Sequence, residues 1–408
     1  MNILFIANLV PYPLDGGGKI KTFTTIQILS KKNTVDLLCF YEKENKEDAL
    51  RFLKPYCRNI ELIPIKVTTR ENMTYIMKQA LKCLLIGKSV SIHKYSNPEM
   101  KNAITEYMSV NTYDIAYFNL LHVYIYKQYI MRANPNLRCV LDTQNCETLI
   151  FKRRAKNNKN YFKKKYLSLE AERLKRFECW AAEDTDRLIL LSEVDKREIE
   201  NMVGHEIPAT IIPVAVNEPS VTTEIRNIKT GEPINILFIG TLTWAPNDEG
   251  MIWFLKNILP LIEKNGLNYK LFIVGKNPSE QLKSLARKYK NIDITGYVAS
   301  VDPYYQQCDF MIVPLFFGSG QRVKIIEGLS RGMPIISTSI GAEGLEYSNG
   351  ENLIIADNEQ QFIDALNVMT DYNTRVRLSK NGRKTYDQYY SPNAIKILIN
   401  TVVESLQQ

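Results

Sequence analysis

The chain has 408 residues, of which 45% are hydrophobic and 24% charged, and its formal net charge is +8 at pH 7. This length exceeds what one hydrophobic core usually fills, so we expect two domains with the composition of an ordinary soluble globular protein. The seven cysteines are odd in number and show no C-x-x-C spacing, which argues for free thiols and against a disulfide framework or a zinc site. The three histidines are not at ligand spacing, so we expect no built-in metal.

Neither a signal peptide nor a membrane-spanning segment is predicted. The chain enters an apolar, strand-like run at Asn2, which is unlike the start of a signal peptide. No apolar run approaches the roughly 20 residues that cross a bilayer, and the candidate around Tyr75 to Gly87 is interrupted by Lys78 and Lys82. We therefore expect a cytoplasmic protein.

Strand-like and helix-like stretches alternate along the chain. In the first half, apolar runs lie at 3–7, 35–39, 60–63, 115–118, 140–141, 188–191 and 211–212, with helix-like stretches such as 19–32, 47–53, 97–108 and 192–203 between them. In the second half, runs at 236–239, 271–274, 292–294, 311–313 and 335–336 alternate with helices near 249–264, 278–289, 321–331 and 359–369. Short apolar runs separated by helices predict parallel sheets with helices on both faces.

The series restarts after a polar, turn-rich stretch from Asn217 to Pro233, which we interpret as an interdomain linker. The prediction is an α/β protein with two Rossmann-like, doubly wound domains facing each other across a cleft. The first domain spans 1–216 and the second 217–390. Residues 391–408 predict a further helix, which packs across the domain seam or against its own domain.

The most informative stretch is a glycine loop between an apolar run and a helix, from Phe317 to Pro334. Gly318 and Gly320 allow the backbone to approach a ligand, and a helix start offers unpaired N–H groups at the positive end of its dipole.

Charged residues follow this loop in an unusual order. Arg322 and Lys324 fall in the predicted first turn, where a cation is normally unfavourable, so a bound anion would explain them. Glu327 lies three residues after Lys324 and shares its helix face. A ligand with phosphate and a hydroxylated sugar suits this pattern. The alternative is a strand-to-helix turn with a solvated salt bridge.

A second glycine loop follows the first predicted strand and contains Gly16, Gly17 and Gly18. In parallel sheets ligands bind at the carboxyl ends of strands, where both loops are expected. The spacing is neither the dinucleotide fingerprint nor the Walker motif. A single glycine-rich turn can be structural, but two that face one cleft favour a binding site.

The Pro-x-x-x-Gly-Gly loop and the Gly-Ser-Gly-x-Arg-x-Lys-Ile-x-Glu-Gly segment resemble family-4 retaining glycosyltransferases (glycosyl transferases group 1) of the GT-B fold. The likeness covers essentially the whole chain and is strongest from Ile236 to Ala356. It implies transfer of a sugar from a nucleotide-diphosphate donor to a saccharide or lipid-linked acceptor, with retention and without a metal or bound cofactor. The setting that it implies is bacterial cell-surface polysaccharide synthesis. The donor would lie on the second domain and the acceptor mainly on the first, with domain closure.

By this resemblance, Glu327 matches the second glutamate of the family's pair, which binds the ribose hydroxyls. Ser319 stands where the first glutamate is usual, so its hydroxyl and the backbone N–H groups of Gly318 and Gly320 are expected to contact the donor sugar. The alternative role of Glu327 is a salt bridge with Lys324 or Arg331 on the helix face.

The loop after the first strand of the second domain also departs from the family. Many members carry cations after the glycine here, whereas this chain has Thr241 after Gly240 and no cation until Lys256. We hypothesise that Arg322 and Lys324 stabilise the leaving diphosphate instead. The resemblance also places the nucleotide base near Val298.

On the acceptor side, Asn119 lies nearest the position where the family often has a histidine, and His122 follows three residues later. We assign both to acceptor positioning. For His122, an ordinary polar residue at the start of a helix is an equal alternative.

The basic charge is concentrated between Phe151 and Trp180, where eleven Lys and Arg face three Glu, a net charge equal to that of the whole chain. The segment Lys152 to Arg176 is either a solvated helix surface or a patch that attracts an anionic membrane. We favour peripheral association at the inner face of the plasma membrane. Nucleic acid is not expected, because no recognised binding motif accompanies the charge.

Two other classes remain open at this stage: a GT-B-type sugar-nucleotide epimerase or hydrolase, which needs no acceptor, and a non-catalytic partner subunit. Release of free sugar or of an epimer would indicate the first class. Failure to bind any nucleotide sugar would indicate the second.

Overall fold

The computed structural model describes residues 1–14, 16–42, 44–66, 83, 87–158, 160–318 and 320–406. The chain divides into two compact units, one comprising 1–215 and 395–408 and the other 216–394. Each unit contains one parallel sheet with helices, so the predicted α/β class with two wound sheets is confirmed.

The first unit is built on a seven-stranded sheet in the order β3-β2-β1-β4-β5-β6-β7, in which every pair is parallel. The winding direction reverses between β1 and β4, and ligands of such sheets bind beyond the carboxyl ends at this reversal. The strands are β1 (Asn2–Ala7), β2 (Thr34–Tyr41), β3 (Asn59–Pro64), β4 (Ile115–Asn119), β5 (Arg138–Asp142), β6 (Arg187–Leu190) and β7 (Ala209–Ile211).

Helices cover both faces of this sheet, with a buried apolar cluster on each side. They are α1 (Gly17–Leu29), α2 (Lys46–Leu53), α3 (Val90–His93), α4 (Pro98–Val110), a 3-10 helix (Leu121–Tyr126), α5 (Lys127–Ala133), α6 (Glu147–Lys156), α7 (Tyr161–Asp184) and α8 (Glu193–Val203). The last helix of the chain, Pro392–Glu404, buries Ile395, Ile399, Val402 and Val403 in one of these clusters. It thereby returns to the first unit.

The second unit repeats the design with a six-stranded sheet in the order β10-β9-β8-β11-β12-β13, again with parallel pairs. The reversal lies between β8 and β11. The strands are β8 (Ile234–Ile239), β9 (Tyr269–Val274), β10 (Ile292–Gly296), β11 (Phe310–Val313), β12 (Ile335–Ser337) and β13 (Ile354–Ile355). The helices are α9 (Ala245–Trp253), α10 (Leu259–Lys264), α11 (Glu280–Ala286), α12 (Asp302–Gln307), α13 (Val323–Ser330), α14 (Glu359–Val368) and α15 (Tyr372–Tyr389).

Three features differ from the sequence-based expectation. A π-helical turn, Phe254–Ile258, separates α9 from α10 within the predicted helix 249–264. The sequence did not predict α15, because most of its residues are polar and its apolar stripe is short. Its buried face also includes an arginine: Arg375 is fully buried and donates to the carbonyls of Thr370 and Arg226. The third difference is at α13, which begins at Val323, so Arg322 occupies its N-cap and not its first turn.

Within the part of the chain that the structure describes, no helix combines the length and the apolar character needed to cross a bilayer.

Candidate active site

The loops at the carboxyl ends of β8 and β11 meet where the sheet of the second unit reverses. Gly240 follows β8 directly, and the glycine loop that contains Gly318 and Gly320 follows β11 and leads into α13. This position is the expected ligand site of a doubly wound sheet. Ser319 lies outside the described residues, so its predicted contact with the donor sugar stays a prediction.

Lys324 connects these two loops. Its Nζ donates to Oδ1 of Asn247 at 2.7 Å, and Nδ2 of Asn247 donates to the carbonyl of Thr241 at 2.9 Å. The ammonium also lies 4.5 Å from the centre of the Phe238 ring in β8. Lys324 on α13 thus brings a cation to the loop after β8, which carries none of its own.

Gly240 is required for this arrangement. A Cβ atom at this position would lie 2.6 Å from Nζ of Lys324 and 2.7 Å from Nδ2 of Asn247. The missing side chain thus provides the space that the ammonium occupies.

Arg322 is 4% exposed and packs against Trp244, with its guanidinium 5.4 Å from the indole ring. One of its nitrogens donates to the carbonyl of Gly320. Gly318 has φ +123°, and a Cβ there would lie 3.0 Å from Nη2 of Arg322 and 3.2 Å from the indole. Glycine is therefore needed at 318 both for the backbone conformation and for the approach of the arginine.

The electrostatics of Lys324 follow from this position. Burial, and next the positive charge of Arg322, lower the pKa of Lys324 to about 7, while Glu327 acts in the opposite direction. The hydrogen-bond partner, Asn247, is a neutral amide, so it does not compensate the charge. An anion bound between the two loops would restore the protonated form.

Glu327 lies one turn after Lys324, and burial raises the pKa of its carboxyl group, whereas Arg331 and Lys324 lower it. No described residue donates a hydrogen bond to this carboxylate or forms an ion pair with it. Arg331 pairs instead with Asp302 at 3.0 Å. The helix-face salt bridge with Lys324 or Arg331 is therefore not formed among the described residues, and the carboxylate oxygens can accept hydroxyl donors. The contact of Glu327 with the ribose stays a prediction.

Two further predicted donor residues lie at the same edge of the sheet. Thr241 is exposed directly after Gly240, and its carbonyl accepts the bond from Asn247. Val298 lies in the loop after β10, two strands from β8, which corresponds to about 10 Å at ordinary strand spacing.

In the first unit, Asn119 ends β4 and is fully buried. Its Oδ1 accepts from Oγ1 of Thr22 at 2.8 Å and from Nε2 of Gln144 at 3.3 Å, and its buried Nδ2 has no partner among the described residues. A Cβ at Gly18 would lie 3.1 Å from Oε1 of Gln144, so this network supports the glycine loop. Gly16 caps α1 with extended backbone, and Gly17 is its first residue.

A buried ion pair lies beside this network. Nζ of Lys21 donates to Oδ1 of Asp142 at 2.7 Å, and the hydroxyl of Tyr117 donates to Oδ2 at 2.9 Å. The charge of Lys21 is thus neutralised within the fold, in contrast to that of Lys324.

His122 lies in the 3-10 helix after β4 and is largely buried. Burial, and next the charge of Lys94, lower the pKa of His122 to about 3, so the ring is neutral at pH 7. Its Nε2 is 3.5 Å from Oγ of Ser91, and its buried Nδ1 has no partner among the described residues. The assignments of His122 and Asn119 to acceptor positioning stay predictions.

The sequence-based search missed Asn247 and Trp244. It examined Thr241 to Asp248 for cations only, and found none. These eight residues do contain the amide of Asn247 and the indole of Trp244. Such groups can bind a lysine ammonium and an arginine guanidinium from another part of the chain, and this could have identified them.

Residues 233–371 match the family model of glycosyl transferases group 1. The match shows that this segment is similar to that family. It contains the whole cluster around Lys324, and the first unit lies outside it. Over nearly its full length, the chain is similar to an uncharacterized 44.6 kDa protein in the cps region of Klebsiella pneumoniae, with 26% identity over 376 residues and 88% of each chain covered.

Solved structures of glycosyltransferases show the same fold. Sucrose-phosphate synthase from Thermosynechococcus elongatus superposes with a TM-score of 0.69 and 14% identity, covering 100% of this chain and 99% of its own. The lipopolysaccharide outer core galactosyltransferase WaaB gives 0.66 and 14%, with 99% of each chain covered. Anabaena HepE in complex with UDP and glucose gives 0.64 and 12%, covering 99% and 100%. The predicted GT-B fold is therefore confirmed.

Replacement of Lys324 by Met tests the electrostatics of the group 1 segment without a ligand. The pKa of Lys324 is lowered to about 7 from the 10.5 that is usual for lysine, so between these pH values the unfolded state binds more protons. The contribution of Lys324 to the free energy of unfolding should therefore rise with pH, by up to about 1.4 kcal/mol per unit, between about pH 7 and 9. In Lys324→Met this contribution is absent.

Urea unfolding at several pH values measures the effect. The stability advantage of Lys324→Met over the parent should be largest near pH 7 and shrink as the pH rises. The exposed Lys256→Met is the matched control and should show a constant difference. Equal pH dependence of the parent and Lys324→Met would contradict the lowered pKa.

Proposed function

We propose that this protein is a retaining glycosyltransferase that moves a sugar from a nucleotide-diphosphate donor to a saccharide or lipid-linked acceptor in bacterial cell-surface polysaccharide synthesis. The family of residues 233–371 and the fold support a glycosyltransferase. The relative in a cps region supports the polysaccharide setting. UDP and glucose are bound in the structure of HepE, which supports a nucleotide-sugar donor.

The observation that carries the proposal is the cation pair at the loop reversal of the second unit. Nζ of Lys324 is hydrogen-bonded to the neutral amide of Asn247, and the guanidinium of Arg322 lies over the Trp244 indole. A bound diphosphate would neutralise the buried ammonium of Lys324. Glu327, on the same helix, has a carboxylate without a donor in the described structure, and two ribose hydroxyls would satisfy it.

The chemistry follows from these roles. The bond between the anomeric carbon and the diphosphate oxygen breaks, and the acceptor oxygen bonds to the same face of the sugar. The acceptor hydroxyl proton passes to the leaving phosphate, so no strong base on the protein is required. This agrees with the lowered pKa of His122, which makes its imidazole a weak base. Arg322 and Lys324 stabilise the developing negative charge without a divalent metal.

A panel of UDP-, GDP- and ADP-sugars scored by thermal shift tests the donor class. One nucleotide should raise the melting temperature, because a ligand that binds only the folded state stabilises it. In Glu327→Gln the affinity for that nucleotide should fall about tenfold or more, since hydrogen bonds to a charged group are lost. The exposed Glu280→Gln is the matched control.

The corresponding 2′,3′-dideoxynucleotide completes this experiment. It should bind the parent and Glu327→Gln equally, because the hydroxyls that Glu327 would hold are absent. A parent that no nucleotide sugar stabilises would refute the transferase proposal. An unchanged preference for the ribose in Glu327→Gln would refute only the role of Glu327.

Replacement of Arg322 or Lys324 by Ala should lower turnover by about 100-fold or more, the usual effect of removing one preorganised group that stabilises transition-state charge. Circular dichroism should show an intact fold. Lys256→Ala, which removes an exposed cation of the same unit, should retain activity. If neither Arg322→Ala nor Lys324→Ala loses activity, the diphosphate is stabilised by other groups.

We also propose peripheral association with an anionic membrane from the cytoplasmic side, supported by the basic segment Lys152–Arg176. Replacing the exposed Lys163, Lys164 and Lys165 by Gln should weaken cosedimentation with phosphatidylglycerol vesicles about tenfold or more, at about 1 kcal/mol per cation. A triple Gln variant of Lys264, Lys288 and Lys290, which are exposed in the second unit, is the control. Equal binding by both variants would contradict this surface.

A further inference from the structure

A cavity of about 630 Å³ lies in the first unit. Three elements form its walls: the segment leading into α3, helix α5 with the end of the preceding 3-10 helix, and the second half of α7. The volume is that of a site for a small molecule. No residue assigned to the donor or acceptor lines this cavity.

The interior of the cavity is largely apolar. The side chains that provide this surface are Ile92, Ile125, Met131, Phe177 and Trp180. Trp180 is 45% exposed, yet it is fixed by ring contacts with Tyr124 at 5.5 Å and Phe177 at 5.3 Å. An exposed indole held in one orientation beside a cavity is suited to contact an apolar ligand.

The cations around the cavity are not balanced by acids. Lys88, Arg173 and Arg176 line it, and none of them forms an ion pair with a described residue. The lining carboxylate, Asp184, is already bound to Nζ of Lys127 at 2.7 Å. The cavity therefore combines an apolar interior with an excess of positive charge.

An exposed row of side chains along α7 ends at this cavity. Phe162, Tyr166 and Leu169 are exposed at spacings of four and three residues, and the series continues at Arg173, Arg176 and Trp180, which line the cavity. This spacing places all six on one helix face. An aromatic and apolar stripe thus ends at the cationic mouth of the cavity, as on helices that lie at a membrane interface.

We propose that this cavity binds a single membrane amphiphile, with its aliphatic chain among Met131, Phe177 and Trp180 and its phosphate head at Arg173 and Arg176. The charge excess matches a phosphate, and the apolar lining matches an alkyl chain. The stripe on α7 gives the ligand a route from a bilayer. The inference does not depend on the proposed transferase activity.

Calorimetry with decyl phosphate below its micelle concentration tests the proposal on the full chain. Decyl phosphate should bind saturably, and both inorganic phosphate and decanol should bind at least about tenfold more weakly, because each supplies only half of the contacts. Arg173→Gln should weaken binding about fivefold through loss of one cation. Gln128→Trp, at an exposed lining position of α5, should obstruct the cavity and weaken binding further.

Lys54→Gln is the matched control, since it removes an exposed cation of the first unit outside the cavity, and it should bind decyl phosphate like the parent. Several outcomes would overturn the proposal. Equal binding of inorganic phosphate would indicate a plain anion site, and equal binding of decanol an apolar site without head-group recognition. Unchanged binding by Gln128→Trp, or an equal loss in Lys54→Gln and Arg173→Gln, would place the ligand elsewhere.

Discussion

The ammonium of Lys324 is held by a neutral amide, and the properties of the candidate site depend on this contact. Asn247 fixes the position of the charge without cancelling it. At the corresponding edge of the first unit, Lys21 is paired with Asp142 and both are buried. The two sheets have the same reversal of strand order, but only in the second does the lysine beside it remain uncompensated. The fold provides the position, and the partner of the lysine decides whether that position attracts an anion.

In the second unit, backbone segments approach each other closely around the loop after β8. A Cβ at Gly275 would lie 1.9 Å from the carbonyl oxygen of Gly240, and one at Gly250 would lie 2.1 Å from that of Pro314. The segments after β8 and β9 therefore pack together without a side chain between them, and so do α9 and the segment after β11. The space that remains beside Gly240 is taken by the Lys324 ammonium. A cation on α13 can thus serve the β8 loop, although that loop carries none of its own.

The sequence predicted the fold well because short apolar runs and helices alternate regularly, and because one glycine segment has specific spacing. It also indicated Arg322, Lys324 and Glu327 as a group. It could not show that the Glu327 carboxylate forms no ion pair with Arg331. The two residues are one turn apart on α13, and the guanidinium of Arg331 pairs instead with Asp302 from α12. Nor could it find Asn247 and Trp244, whose roles arise only when distant loops meet. The helix α15 was missed because its buried face includes an arginine, Arg375.

In the basic segment Lys152–Arg176, too, composition alone does not show what each cation contacts. Its net charge is evident from the sequence, but the cations have different partners. Lys152 is paired with Glu198, Lys163 to Lys165 are exposed to solvent, and Arg173 and Arg176 border an apolar cavity. Helical periodicity separates these groups, because residues a few positions apart on α7 face different surroundings. A cation that faces a carboxylate mainly stabilises the fold, whereas one held near an amide, an aromatic ring or an apolar wall can still bind an anion. Lys324, Arg173 and Arg176 are cations of this second kind.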